Sequence, residues 1–302
     1  MARHWLRGTT VLAVTAFASP ALSQTEIVAD PAFPCEGFCA TYNEPQPPFK
    51  IFGGTYYVGT TRLSTLLITS DDGHILVDGG FPGAAPVIAE NIRSLGFDPA
   101  DIRLIVNSHT HIDHIGSIAA FQQATGAEVA ASAAAADAME AGHAMPNDPQ
   151  YRDTPDPDFP PVANLRRVQD GEMLSVGDNT ITAHFTPGHT PGGTSWTWQE
   201  CEGETCYDIA YADSLNPISS DTFEYSANPD YLAAFRNSIQ VVKDLPCDIA
   251  VVPHPELVGL LEKVAAGEPA DADAFVDPGA CAAYAEMFQA LLEERLAQEA
   301  GN

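Results

Sequence analysis

The order of elements along the sequence predicts an α/β protein, a four-layer αββα sandwich in which two mixed β-sheets are flanked by helices. Three observations carry that fold class: β-type runs open the chain, a strand–helix–strand–helix stretch follows, and a second group of strands gives way to helices. Strands are expected at Tyr56–Val58, Ser64–Thr69 and His74–Val77, with Asp72-Gly73 turning the last two into a hairpin. Val87, Ile88, Ile92 and Leu95 then fall at helical spacing over Ala84–Leu95, and Gly96 stops that helix. Ile102–Val106 reads as a buried strand, Ile115–Ala124 as a helix, Glu128–Ala131 as a strand and Ala133–Ala141 as a helix. The second group of strands is placed at Arg166–Val168, Glu172–Ser175, Thr180–Phe185, Thr194–Trp198 and Ile209–Ala212. A helix over Tyr231–Lys243, a strand over Ile249–Val252 and two closing helices complete the chain.

The chain has 302 residues, 45% of them hydrophobic, enough for one sizeable core. The stretch dense in Pro and Asp, Asp148–Pro161, lies between segments that both carry candidate metal ligands. A linker there would split the site, so it reads as a long loop inside one catalytic domain over residues 24–302. Ahead of that domain, Arg3 and Arg7 precede the apolar run Val11–Ala18 and the small residues of Ser19-Pro20-Ala21-Leu22-Ser23. This is the pattern of a secretory signal over residues 1–23, too short for a bilayer span of roughly 20 apolar residues. The expectation is a periplasmic or secreted protein with no membrane contact after cleavage.

Six cysteines suit an oxidising compartment, and although about 15 complete pairings exist in principle, spacing favours Cys35 with Cys39, Cys201 with Cys206 across a turn, and Cys247 with Cys281. A formal net charge of −28 with only 13 Lys and Arg excludes nucleic acid as a partner, because phosphate binding needs clustered cations. The surplus of acid otherwise speaks to solubility.

The chemistry concentrates in His109-Thr110-His111-Ile112-Asp113-His114, directly after a strand. In an extended backbone His109 and His111 project to one side, while Asp113 and His114 begin the next helix and turn towards a second point. One short loop can thus serve two metals. Further ligands must come from elsewhere, since catalytic zinc takes three protein donors plus water. His189 lies in Thr186-Pro187-Gly188-His189-Thr190-Pro191-Gly192-Gly193 and His254 in Val252-Pro253-His254-Pro255, both loops at strand ends. His4, His74, His143 and His184 have weaker claims, from the leader, strands or a helix end.

With Gly73–Gly80, Thr186–Trp198 and Tyr211-Ala212-Asp213-Ser214-Leu215, these motifs resemble the metallo-β-lactamase superfamily from about Phe52 to Cys281, and within it the third subclass of class B (zinc) β-lactamases. The resemblance implies the metallo-β-lactamase fold and two zinc ions. The first would be held by His109, His111 and His189, the second by Asp113, His114 and His254. It also implies a hydrolase that opens the amide bond of small β-lactam antibiotics with a metal-bound hydroxide, which Asp113 orients. In that subclass two serines contact the antibiotic carboxylate; Ser214 matches one, and Asn216 stands where the second is expected, still able to donate through its amide. Asp78 is expected behind the ligands rather than among them. Asp213 is open: in glyoxalase-like and lactonase-like relatives such an Asp bridges the metals, whereas the β-lactamase pattern leaves it out. Two alternatives remain, a secreted lactonase or thioester hydrolase on the same scaffold, and a zinc-binding protein without catalysis. The loop Gly142–Val162, with Met145, Tyr151 and Phe159, is read either as a wall of the cleft or as a surface excursion.

Overall fold

Alternation along the strands decides the architecture of the chain, here in a computed structural model that describes Met1 and residues 26–153, 157–265 and 273–301. Apart from Met1, the leader read over residues 1–23 lies outside the described residues. The first sheet runs in the order β1 (Phe49–Phe52), β2 (Thr55–Tyr57), β3 (Leu66–Ser70), β4 (Gly73–Val77), β5 (Ile102–Val106), β6 (Glu128–Ser132) and β7 (Arg166–Val168). Pairing is antiparallel from β1 to β4 and parallel from β4 to β7. The second sheet takes β8 (Met173–Val176), β9 (Asn179–Phe185), β10 (Thr194–Glu202), β11 (Thr205–Tyr211) and β12 (Ile249–Val251), antiparallel except for the parallel pair β11–β12.

In these strands successive side chains enter different layers, as a two-residue period requires. Leu66, Ile68, Ile75, Val77, Leu104 and Val106 meet Ile181, Trp196, Ile209, Tyr211, Ile249 and Val251 in the core between the sheets. The intervening Leu67, Leu76, Ile105 and Val129 pack outwards with helices α2 (Ala85–Ser94), α4 (Ile118–Thr125) and α5 (Ala133–Ala141). On the opposite face Ala210, Ala250 and Val252 pack with α6 (Pro229–Lys243) and α8 (Ala280–Ala300). The result is helices, sheet, sheet and helices, the four layers expected. Three shorter helices lie in loops: α1 (Phe38–Tyr42), α3 (Ile112–Ile115) and α7 (Leu260–Ala265). No helix of the described residues is long and apolar enough to cross a membrane.

Disulfides join Cys35 to Cys39, Cys201 to Cys206 at the β10–β11 hairpin, and Cys247 to Cys281, which fastens α8 to the segment before β12. These are the pairs that spacing favoured.

Three local readings are corrected. Arg166–Val168 belongs to the first sheet, where it extends the parallel set beside Ala130–Ser132, not to the second group of strands. Phe49–Phe52, to which the sequence reading assigned no element, is an edge strand, and Pro47 and Pro48 just ahead of it break no ladder bond. The single helix expected over Ile115–Ala124 is two, interrupted at Gly116-Ser117. Ser117 Oγ donates to the carbonyl of Phe81 at 2.7 Å, and a side chain at Gly116 would collide with Pro82, so this break is pinned by the turn after β4.

Candidate metal centre

The C-terminal ends of β4, β5, β9, β11 and β12 point to one rim of the sandwich, and the loops that leave them converge there. After β5, His109 and His111 lie in an extended segment, and His111 is the N-cap of α3, whose first turn contains Asp113 and His114. This places the metal-competent side chains of one loop at two adjacent points. His189 arrives on the loop after β9 and His254 on the loop after β12. His109, His111 and His189 form one group and Asp113, His114 and His254 another, each with one potential ligand atom per residue within 4.8 Å of the others. The structure thus brings together all six side chains named from the sequence. The two groups touch, with the His109 and His114 rings 4.3 Å apart between centroids.

The loops are held by bonds that cross between the sheets. Trp196 Nε1 donates to Asn107 O at 2.9 Å, Thr194 N to Ser108 O at 2.8 Å, and Ser132 Oγ to Gly192 O at 2.9 Å. Gly188 has no side chain because the Phe235 ring occupies the space a Cβ would take, which seats the His189 loop directly on α6. Asp78, at the end of β4, adopts a left-handed φ of 61°, a costly backbone for a residue other than Gly. Its buried carboxylate accepts from Ser108 N at 2.7 Å, Ser108 Oγ at 2.8 Å and Tyr211 Oη at 2.7 Å, and lies 3.6 Å from His114 Nδ1. Asp78 therefore stands behind the ligand loop, as expected.

Asp213 is fully buried, with Oδ1 2.9 Å from His109 Nδ1. It lies behind the imidazole and outside both ligand groups. His189 Nδ1 meets the carbonyl of Asn216 at 2.8 Å, and the backbone of Arg62 hydrogen-bonds the His254 ring. In His109 and His189 the outer partner takes Nδ1, leaving Nε2 for a metal, the arrangement by which metal-binding imidazoles are oriented.

Burial, then the neighbouring imidazoles, push the pKa of His109 well below the usual histidine range; burial, then His111, do the same to His189. Burial, then His114, lower His254 to about 4. Burial raises the Asp113 carboxyl, but His114, His111 and His254 outweigh it and hold the group well below the usual carboxylate range. Burial lowers His114, yet Asp113 and Asp78 prevail and raise it. Three imidazoles are therefore neutral and one carboxylate ionised near neutral pH, the forms that coordinate metal.

The residues fit a zinc centre. Both ring nitrogens of His114 are buried without a hydrogen-bond partner. His114 Nε2 sits 3.1 Å from Asp113 Oδ2 without hydrogen-bond geometry, as two donors facing a shared point would. Unpaired buried polar atoms cost on the order of 1–3 kcal/mol each, and an all-imidazole set beside an imidazole–carboxylate set suits zinc.

Above the two groups opens a cleft of about 480 Å³ lined by Ser214 and Asn216, by the apolar Phe38, Ile112, Phe159, Ile218 and Leu257, and by Ala144, Gln150, Arg152 and Asp158. Part of the loop Gly142–Val162 does wall it; of the three residues singled out there, Phe159 lines the cleft, and Met145 and Tyr151 are not among its lining residues. Sequence reading missed Arg152, the only Lys or Arg among the described lining residues, and Phe38, presented by the Cys35–Cys39 loop. Neither sits in a recognisable motif; the abundance of acid elsewhere makes Arg152 the one detectable oddity of its segment.

The sequence signature of the Metallo-beta-lactamase superfamily matches residues 59–200. The Rm3 metallo-beta-lactamase superposes with a TM-score of 0.84 at 48% identity, covering 88% of this chain and 99% of that one. The chain belongs to the metallo-beta-lactamase superfamily. MEM-A1, a subclass B3 metallo-beta-lactamase from a soil metagenome library, superposes with a TM-score of 0.82 at 45% identity, covering 86% of this chain and 99% of that one. MIM-1 from Novosphingobium pentaromativorans, another metallo-beta-lactamase, gives 0.80 at 45% over 86% and 93%. A more distant relative of this superfamily member is the N-acyl homoserine lactonase AttM of Agrobacterium fabrum, 30% identical over 218 residues that span 59% of this chain and 74% of that protein.

Proposed function

We propose that this chain is a dizinc β-lactamase of the B3 type, exported and cleaved near Ser23, whose single catalytic domain hydrolyses the amide bond of β-lactam antibiotics. The observation that carries the reading is the pair of adjacent ligand groups on the cleft floor, with Asp213 behind His109 rather than between the groups. That position favours a β-lactamase over a lactonase whose Asp bridges the metals. The solved structures reported above, 45–48% identical over most of their length, weigh the same way against the 30% of the lactonase.

His109, His111 and His189 would hold one zinc and Asp113, His114 and His254 the other. Bound zinc supplies a water-derived nucleophile at neutral pH and polarises the scissile carbonyl. Asp113, ionised over the working range, orients the attacking water by accepting its hydrogen bond. In balance, water adds a hydroxyl to the carbonyl carbon and a proton to the ring nitrogen, and the C–N bond breaks. Arg152 and the polar groups of Ser214 and Asn216 hold the substrate carboxylate. Phe38, Phe159, Ile218 and Leu257 give an apolar wall for its side group and keep bulk water from the reacting carbonyl.

The test is a panel of a chromogenic cephalosporin, an N-acyl homoserine lactone and a thioester, assayed with zinc-loaded mature protein. Rapid turnover of the cephalosporin, abolished by a chelator and restored by zinc, is expected. Preference for the lactone or thioester, or no turnover at verified zinc content, would refute the substrate assignment.

A further inference from the structure

Outer partners are accounted for at His109, His189 and His254, and Asp78 stands behind His114. His111 is left, and the residue behind it comes from a part of the chain that carries no motif. Asp148 Oδ1 lies 3.7 Å from His111 Nε2, an ion-pair distance, and that nitrogen is buried with no hydrogen-bond partner. Asp148 itself is only 2% exposed.

Its local bonding does not explain that burial. Asp148 Oδ1 accepts from Gln150 N at 2.7 Å, the two-residue Asx turn that exposed aspartates make in ordinary loops. A carboxylate gains nothing from burial in such a turn, because one backbone N–H does not offset the loss of solvation. Tyr225 and Tyr231 lie near enough that its charge helps raise the pKa of both hydroxyls, after burial. Among the described residues the only ion-pair partner recorded for Asp148 is His111. The loop is also built to hold it there: Asp148 N donates to Met145 O at 2.8 Å, Tyr151 N to Asp148 O at 3.0 Å, and Ser220 N to Pro149 O at 2.8 Å.

We infer that Asp148 is a positioning residue of the metal centre: its carboxylate, 3.7 Å from His111 Nε2, attracts the ring proton to that nitrogen and so leaves Nδ1 as the donor to the metal. The inference rests on reading those histidines as zinc ligands. It extends the orienting role of Asp213 to a second imidazole of the same group, and it ties the wall of the cleft to the metal on its floor.

Zinc content and affinity provide the test, independent of turnover. Wild type, Asp148→Ala and Asp148→Asn are compared by titration against a competing chelator and by metal analysis after dialysis, with urea unfolding of each metal-free protein in parallel. Asp148→Ala should weaken one of two zinc equivalents by about tenfold or more, the range for loss of an outer partner. Asp148→Asn keeps an oxygen for Nε2–H and the turn to Gln150, and should recover much of the loss. Metal-free unfolding midpoints should stay within error of wild type. Unchanged affinity in Asp148→Ala overturns the inference while leaving the zinc reading intact. So does a loss that appears equally in the metal-free midpoints of both variants, which would make Asp148 a folding residue. A wild type that binds no zinc overturns the zinc reading itself.

Discussion

Asp213→Ala is the substitution whose effect can be worked most closely. It removes a buried acceptor 2.9 Å from His109 Nδ1, and loss of an outer partner of this kind typically costs 10–100-fold in metal affinity. A second acceptor narrows the range. Ser108 Oγ lies 3.1 Å from the same nitrogen while donating its own proton to Asp78 at 2.8 Å, so its lone pairs face His109. With Asp213 gone, Nδ1–H keeps the longer hydrogen bond to the Ser108 hydroxyl in place of the shorter one to the carboxyl group. The loss should then fall at the low end, about tenfold or about 1.4 kcal/mol. Asp213→Ala with Ser108→Ala leaves the buried N–H unpaired and should reach the upper end, about a hundredfold. The assay is zinc competition with a chromogenic chelator, with circular dichroism of the metal-free proteins as a check on folding. Wild-type affinity in the double variant would refute the orienting role, and equal losses in single and double variants would refute Ser108 as the second acceptor.

The buried histidines should make the stability of the metal-free protein depend on pH. For His109, His189 and His254, burial and then neighbouring imidazoles lower the folded pKa below the ordinary 6.5, so below that pH the unfolded chain takes up protons the folded one refuses. Their cost is absent above pH 6.5 and grows as pH falls, until for His254 the folded form titrates near 4. His114, with its pKa raised by Asp113 and Asp78 against burial, acts oppositely, stabilising below 6.5 and less so as pH rises. Asp78 and Asp213, whose carboxyl pKa burial raises, act in the same sense as His114, so the imidazole contribution is read by difference. Urea midpoints of His254→Gln should fall less, relative to their own value at pH 7.5, than those of wild type at pH 5, and parallel profiles would contradict the assignment. At the mouth of the cleft, Arg152→Ala should raise KM for carboxylate-bearing β-lactams several-fold to about tenfold with a smaller change in kcat, and leave KM for a neutral lactone unchanged. An equal rise on both substrates would remove Arg152 from carboxylate recognition.

The centre was legible in sequence because its donors sit at strand ends in segments whose local geometry is constrained. His109-Thr110-His111 must project two imidazoles together wherever a strand delivers it, and the Pro and Gly of the His189 loop announce a rigid excursion. The two groups of strands and their helices were legible for the same reason, from periods of two and of about 3.6 residues. What was missed depends on partners distant in the chain. Three residues, Arg166–Val168, hold too little pattern to choose a sheet, and proximity to Glu172–Ser175 suggested the wrong one; pairing with Ala130–Ser132 decides it. Asp148 and Arg152 differ from the other acids and bases only in where a long loop folds, burying one behind His111 and turning the other to the cleft. Asp213 was recognised, but whether its carboxylate faced a metal or an imidazole depended on β11 emerging beside β5 in three dimensions.

The six donors are shared between the two halves of the sandwich: four leave β5 in one sheet, while His189 and His254 leave β9 and β12 in the other. Neither half alone offers more than a fragment of a coordination sphere. A chain whose halves are still apart therefore presents only incomplete donor sets, and the full set exists once the halves have closed. A metal held by these side chains would act as a late rivet between the halves, so a chain folded without one should be looser along the seam.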